Sequence, residues 1–503
     1  MTASEIMLAL DLGTTGIKAG AFDQDLNCLG SHLVENHLRY PAPGLVEQDP
    51  AHFLNSALAL ARRLAAQLGR RAQNVTAIVC SGQMGGLLGV DADWNAVGHF
   101  DAILDTRSNV ARSQIEPYQR AILARCGGLT TQLEKMLYWR DHYPAAYARL
   151  AKFVPLNGYL AGVLAGLSAA DAYIDHTMTS VNGLLNAVTG AWEADLARDL
   201  ALPLAKLPRP VASETVVGTL TPALADRLGL PRGVPILAGA GDGAATYAGS
   251  GINRQGQALD LSGTSCALGA YSDHFLPDVD EQLFVNMKSP TDPGWFVIYI
   301  NHFGLTHRWF LDAFCQELIQ AQGVPAAYRA LDAEAAALEP GSGGVLAVPH
   351  LSGQTSPPRP YTRGAWLGFG LGYTRAHFYR SLLEAHAFEY CRAKTHLTRL
   401  SPTMQLHEVF VSGGGSRSDL WNQIKADVLG STYRRLVESD LSTLRGDALV
   451  AARARGWDVP AGFLKFDREY PANPANTERY AALAENFQAC AGGLDPLMAR
   501  LFR

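Results

Sequence analysis

A phrase near the start of the chain, Ala9-Leu-Asp-Leu-Gly-Thr-Thr15, returns in its second half as Ala258-Leu-Asp-Leu-Ser-Gly-Thr-Ser265. Each copy joins strand-forming residues to a small, hydroxyl-bearing turn. A duplicated fold accounts for the recurrence, although short runs of small residues also recur in unrelated loops, so the phrase alone leaves coincidence open. Length favours two units, because 503 residues exceed what a single hydrophobic core usually holds. The Gly-rich stretch 249–257 is the expected hinge or linker between them, which divides the chain into units 1–252 and 253–503.

Local signals place both copies in an α/β framework. Ile6–Asp11 and Ile17–Phe22 are predicted strands around the Gly-Thr-Thr-Gly turn. Asp49 is a predicted N-cap for a helix opened by Pro50, with Phe53, Leu54, Ala57, Leu58, Ala61, Leu64 and Leu68 on its apolar face and Gly69 just beyond. Val75–Cys80 is a predicted buried strand, and strand, helix, strand implies a parallel or mixed sheet covered by helices. Thr477–Gln488 is a predicted packing helix.

Composition narrows the partners. Apolar residues make up 48% and charged residues 18%, a globular balance, and a net charge of -5 lacks the basic face that nucleic-acid binding requires. The seven cysteines are scattered without CxxC spacing, and the histidines lack metal-ligand spacing. Asp11 interrupts the first apolar stretch, and Leu156–Leu167 is shorter than the roughly 18 residues a membrane span needs. A cytoplasmic protein without membrane or nucleic-acid partners is expected, with reduced core thiols and a small-molecule ligand.

Three turns could carry chemistry. Asp11 with the Gly13-Thr-Thr-Gly16 turn suits Mg²⁺ and phosphate oxygens, with Lys18 close by, but the same residues also make an ordinary hairpin turn. Asp242 follows the Gly-interrupted apolar run Val234–Ala240, and is either a general base open to a close ligand or a helix N-cap. In Val409–Gly430 a buried strand, the glycines 413–415 and an amphipathic helix form a turn that a nucleotide could approach closely, or that serves packing alone.

Taken together these residues resemble the FGGY carbohydrate kinases, a family that includes xylulose, glycerol, gluconate and ribulose kinases. The resemblance spans nearly the whole chain. It rests on Asp11-Leu-Gly-Thr-Thr15, Gly239-Ala-Gly-Asp-Gly-Ala-Ala245, Leu261-Ser-Gly-Thr-Ser265, Pro349-His-Leu-Ser-Gly353 with Arg363-Gly-Ala365, and Ser412-Gly-Gly-Gly415. It implies two actin-like domains of the ribonuclease H and hexokinase type around a central cleft, with sugar mainly on 1–252 and ATP mainly on 253–503. Asp242 would then be the catalytic base, Asp11 with Asp242 the Mg²⁺ site, and Thr14, Thr15, Lys18 and Thr264 the phosphate contacts. Gly304, Gly413, Gly414 and Ser418 match nucleotide-side positions, with His302 a weaker neighbour. Ser81-Gly-Gln-Met-Gly85 and Ile103-Leu-Asp-Thr-Arg107 resemble sugar-side segments of the xylulose kinases, which makes Gln83, Met84, Gly85 and Asp105 candidate sugar contacts; for Asp105 a plain surface turn is the other reading.

The chain departs from that pattern at the sugar end. Gly85 stands where xylulose kinases usually carry His, which implies a wider pocket, Leu104 replaces Asn, and Gln354 replaces a common Glu. The implied activity is ATP-dependent phosphorylation of a ketose, D-xylulose foremost, with another pentulose, heptulose or polyol as alternatives and a non-catalytic sugar or nucleotide sensor as the rival from a different class. A homodimer is left open.

Overall fold

The computed structural model describes residues 5–460 and 462–502; residues 1–4, 461 and 503, which the expected units include, lie outside the described residues. Two mixed sheets organise the chain. The first contains β1 (Ile6–Leu12), β2 (Gly16–Asp23), β3 (Cys28–Glu35), β4 (Val75–Gly82), β5 (Val216–Thr219) and β6 (Pro235–Gly241), in the order β3-β2-β1-β4-β6-β5. The second contains β7 (Gln257–Ser262), β8 (Cys266–Ser272), β9 (Val285–Lys288), β10 (Trp295–Asn301), β11 (Glu408–Ser412), β12 (Thr432–Leu436) and β13 (Phe466–Tyr470), in the order β9-β10-β8-β7-β11-β12-β13.

Apart from the extra edge strand β9, the two orders superimpose strand for strand. In each sheet the repeated phrase lies on a strand, β1 or β7, that pairs antiparallel with the next strand and parallel with β4 or β11. The recurrence seen in the sequence is therefore matched by topology. Every residue of β1 is buried, as expected of a strand covered on both faces.

The helix predicted after Asp49 is α1 (Pro50–Leu68), where the Asp49 carboxylate accepts the Ala51 N–H at 2.9 Å and Gly69 ends the helix at φ +58. Its apolar face closes the core of the first sheet with Leu8, Leu10 and Ile78. Within Leu156–Leu167, the apolar stretch too short for a membrane, Leu156–Ala165 is a core helix, and no described helix is long and apolar enough to cross one. All seven cysteines are free thiols.

Two further helices join the halves. α2 (Asp242–Gly249) leaves the end of β6, and α6 (Ser442–Arg455), from the second half, lies across it and against β1 and β4. Gly249, expected to open a flexible link, is instead the last residue of α2, with the connection to β7 following it. A Cβ at Gly249 would lie 1.9 Å from the Ser442 carbonyl oxygen, and one at Gly446 would lie 1.9 Å from that of Ala245. Both contacts are with backbone, so the crossing tolerates only glycine. Replacing Gly249 with Ala should cost roughly 1–3 kcal/mol by overpacking, measured as a lower unfolding midpoint; an unchanged midpoint would show that the crossing has slack.

Candidate active site

Strand register brings distant residues to one edge. Asp11 pairs with Ser81 and Ser81 with Ala240, while Leu12 aligns with Gly82 and Gly82 with Gly241. Asp11 and Asp242 thus stand at the carboxyl ends of parallel strands two places apart, about 10 Å between strand axes, with Ser81 between them. Crevices at such strand ends are where open α/β sheets bind ligands.

Asp11 is 3% exposed and Asp242 is half-buried in the first turn of α2. The N-cap is Gly241, so capping is not the task of Asp242; its Oδ1 accepts the Gly243 N–H at 2.7 Å. Burial, then the charge of Asp11, pushes the Asp242 carboxyl up to about 7, against N–H groups of Gly243 and Met84 and the charge of Lys18. Burial likewise raises Asp11 to about 6, with Lys18 and the Ser81 hydroxyl opposing. The pair is short of positive charge. Among the described residues no three His, Cys, Asp or Glu side chains converge as a ligand set; two carboxylates whose charges act on one another suit a cation that takes one or two carboxylates and completes its shell with water and phosphate oxygens, which is how Mg²⁺ is usually held.

The turn after Asp11 is braced from below. Asn36 Nδ2 donates to the Gly13 carbonyl at 3.0 Å and Gln48 Nε2 to that of Thr14 at 3.0 Å. With its carbonyls engaged, the turn leaves Thr15 exposed, and Lys18 Nζ reaches the Asp440 carbonyl of the second half at 3.5 Å. Asn36 and Gln48 carried no motif, and only the folded turn reveals their part.

Two expected sugar contacts are corrected. The Asp105 carboxylate is fully buried: Oδ2 accepts the Val46 N–H at 2.6 Å, and Oδ1 accepts the backbone and Nε of Arg107 at 3.0 and 2.9 Å. Burial alone would raise this carboxyl, but the bonds from Arg107 and Val46 outweigh it and hold it below the ordinary range. No acceptor capacity is left for a sugar hydroxyl. Gln83 is 2% exposed and donates to Gln48 Oε1 at 2.7 Å while its own Oε1 faces Thr14 Oγ1 at 3.5 Å, so it ties the turn to β4 rather than facing a ligand. Met84 does pack beside the site, against Gly241 and Gly243. Gly85 has φ +74, and a Cβ there would meet Ile103 Cδ1 at 2.8 Å and Thr131 Oγ1 at 3.1 Å. Ile103, half-exposed, borders the place where the missing His side chain would start.

Two cavities lie elsewhere on the sequence-predicted ligand surfaces. One, of about 530 Å³, lies between the halves, with Arg112, Thr131 and Glu134 on one wall and Phe284, Ile300 and Ser356 on the other. The second, of about 820 Å³, lies on the second sheet, where Thr264, Gly304, Gly414, Ser418, His307 and Tyr328 line it. Its floor depends on glycine: a Cβ at Gly304 would lie 1.9 Å from the Gly263 carbonyl oxygen, and one at Gly413, at φ +87, 2.8 Å from that of Ser262. Gly413 shapes the turn without lining the cavity. Ser418 caps α5 (Asp419–Leu429) by accepting the Trp421 N–H at 3.1 Å. His302 hydrogen-bonds Ser265 at 3.1 Å, while His307 reaches the cavity wall; burial, then Lys425, pushes His307 down to about 3, so it is neutral at ordinary pH.

The second copy of the phrase has been put to different use. Asp260, the counterpart of Asp11, forms a fully buried ion pair with Lys425, and Tyr390 and Ser262 share the network. Asp11 forms no such buried ion pair among the described residues, and Lys18 acts on it through its charge.

Comparison with known proteins agrees with this arrangement. Residues 6–249 match the N-terminal domain model, and 261–455 the C-terminal domain model, of the FGGY family of carbohydrate kinases. A xylulose kinase of Staphylococcus epidermidis is 27% identical over 96% of both chains, and an autoinducer-2 kinase of Salmonella typhimurium is 27% identical over 96% of this chain and 93% of its own. The crystal structure of xylulose kinase from Rhodospirillum rubrum superimposes with a TM-score of 0.89 at 24% identity, covering 98% of this chain and 100% of that one. That likeness concerns the fold, which is the two-domain actin-like type.

An acid whose carboxyl is raised in the fold lends stability at low pH and loses it as pH climbs through the raised value. Ionised Asp242 should therefore cost stability above about pH 7. Asp242→Asn should stabilise the protein on the order of 1 kcal/mol more near pH 8.5 than near pH 5, read from unfolding midpoints; equal midpoints at both would refute the desolvated pair.

Proposed function

Since the chain belongs to the FGGY family of carbohydrate kinases, we propose that it transfers the γ-phosphoryl group of ATP to a hydroxyl of a ketose, D-xylulose foremost. The observation that carries this reading is the register that brings Asp11 and Asp242 to one edge of the first sheet, at strand ends two places apart, in a chain that also has a cavity between its halves and another on the glycine turns of the second sheet. The similar proteins include both a xylulose kinase and an autoinducer-2 kinase, which support a sugar kinase without agreeing on the acceptor.

In this reading the Asp242 carboxylate accepts the proton of the attacking sugar hydroxyl. A base near pH 7 is well matched to that task, because a lower value would make the proton acceptor weaker. Thr14, Thr15 and Lys18 face the phosphate chain from the first half and Thr264 from the second. Gly304, Gly414 and Ser418 border the nucleotide, with Gly413 shaping the turn beneath it. A Mg²⁺ ion, held by Asp11 and Asp242 with the phosphate oxygens, would neutralise charge that builds up during transfer. Met84, Gly85 and Ile103 shape the acceptor side. The division at 1–252 and 253–503 separates acceptor from nucleotide in this scheme, with α6 as the element that crosses back.

Two measurements test it. ADP release should be stimulated by at least one sugar in a panel of pentuloses, hexuloses, heptuloses and alditols, and the rate should rise with pH through about 7 as Asp242 ionises. Asp242→Ala should lower turnover by roughly 10²–10⁴-fold, the usual worth of a general base, while ADP binding by calorimetry persists; full turnover would remove Asp242 as the base. Ile103→Ala should shift preference toward bulkier acceptors by about tenfold, the scale of one or two methylenes in a pocket, and an unaltered panel would place Ile103 outside the acceptor site.

A further inference from the structure

Behind the two cleft carboxylates lies a third that no motif announces. Asp447, in the second turn of α6 and next to the Gly446 crossing, is 0% exposed. Its Oδ2 lies 2.7 Å from Ser81 Oγ, which in turn lies 3.3 Å from Asp11 Oδ1. Asp447 Oδ1 has no hydrogen-bond partner among the described residues.

One hydroxyl between two carboxyl oxygens has a single hydrogen to give. Were both acids ionised, one of the two contacts would set lone pair against lone pair, in a buried site where an unpaired charge is most costly. A proton on one of the acids resolves this. Asp11 has Lys18 within electrostatic reach, whereas the charged groups acting on Asp447 are Asp11 on β1, Asp242 on α2 and Asp175 on the first half's short strand Tyr173–Asp175, all carboxylates; Cys80 on β4 also adjoins it. The proton therefore belongs on Asp447. Burial, which raises its carboxyl well above the ordinary range, agrees.

We propose that Asp447 is a positioning residue for phosphoryl transfer: as a neutral carboxylic acid it donates to Ser81, which commits the one Ser81 hydroxyl hydrogen to Asp11. The inference rests on the reading of Asp11 as a cleft carboxylate. Because Asp447 rides on α6, the arrangement also ties Asp11 to the helix crossing that joins the halves.

Infrared spectra of the full-length protein at about pH 9, where the carboxyls raised to about 6 and 7 are ionised, should show the C=O band of a protonated carboxylic acid that disappears in Asp447→Asn. In steady-state assays Asp447→Ala and Ser81→Ala should each lower kcat roughly tenfold with KM for ATP little changed, and the double variant should be no worse than either single one. Asp447→Asn, whose amide still donates to Ser81, should retain most of the turnover. Persistence of the acid band in Asp447→Asn overturns the assigned proton, and losses that multiply in the double variant overturn the route through Ser81. If Asp447→Ala does not fold, the infrared band and the Asn variant decide. Absence of turnover with every sugar would instead overturn the functional reading of the cleft, while the band still judges the state of Asp447.

Discussion

Everything at the cleft follows from the parallel pairing of β1, β4 and β6. One register places Asp11, Ser81 and the start of α2 at the same edge, and a slip of one residue would turn Asp11 to the opposite face of the sheet. The register is in turn held by burial. β1 is covered on both faces, by α1 on one and α6 on the other, so any shift would exchange apolar side chains for a carboxylate in a core. Three acids are thereby gathered with little compensating charge. Such a concentration of negative potential is costly for the empty fold, and it is suited to a cationic or proton-accepting task.

Duplication supplied the frame and divergence supplied the chemistry. The two sheets share strand order and sense, yet the equivalent aspartates have opposite fates. Lys425 neutralises Asp260 within the second core, where the pair and Ser262 hold the glycine turn beneath the larger cavity. Asp11 is left without a buried cation. One half thus neutralises its aspartate and the other leaves its carboxylates with little compensating charge, and the glycine contacts between α2 and α6 let the halves approach closely.

Much of this was legible in residues alone. The Asp49 cap, the Pro50 start and the Gly69 stop marked α1 because each acts locally, through one carboxylate, one fixed φ and one missing Cβ. The recurring Ala-Leu-Asp-Leu phrase announced the paired sheets for the same reason. Asp105 and Gln83 show the limit. Both residue types suit sugar hydroxyls, but Val46, Arg107, Gln48 and Thr14 engage them first, and three of those four partners lie more than thirty positions away in the chain. Gly85 shows the converse: the missing side chain implies space, but that Ile103 from another loop borders the position is visible only in the fold.

The sequence by itself determined the family, the α/β alternation and the polar turns, because motif spacing and short-range backbone preference are properties of neighbours along the chain. Which carboxylates remain available, and which are neutralised or sealed, was decided only by tertiary structure. Charge and hydrogen-bonding capacity are settled by whatever lies within a few ångströms, and in Ser81 and Asp447 those neighbours stand 366 positions apart in the chain.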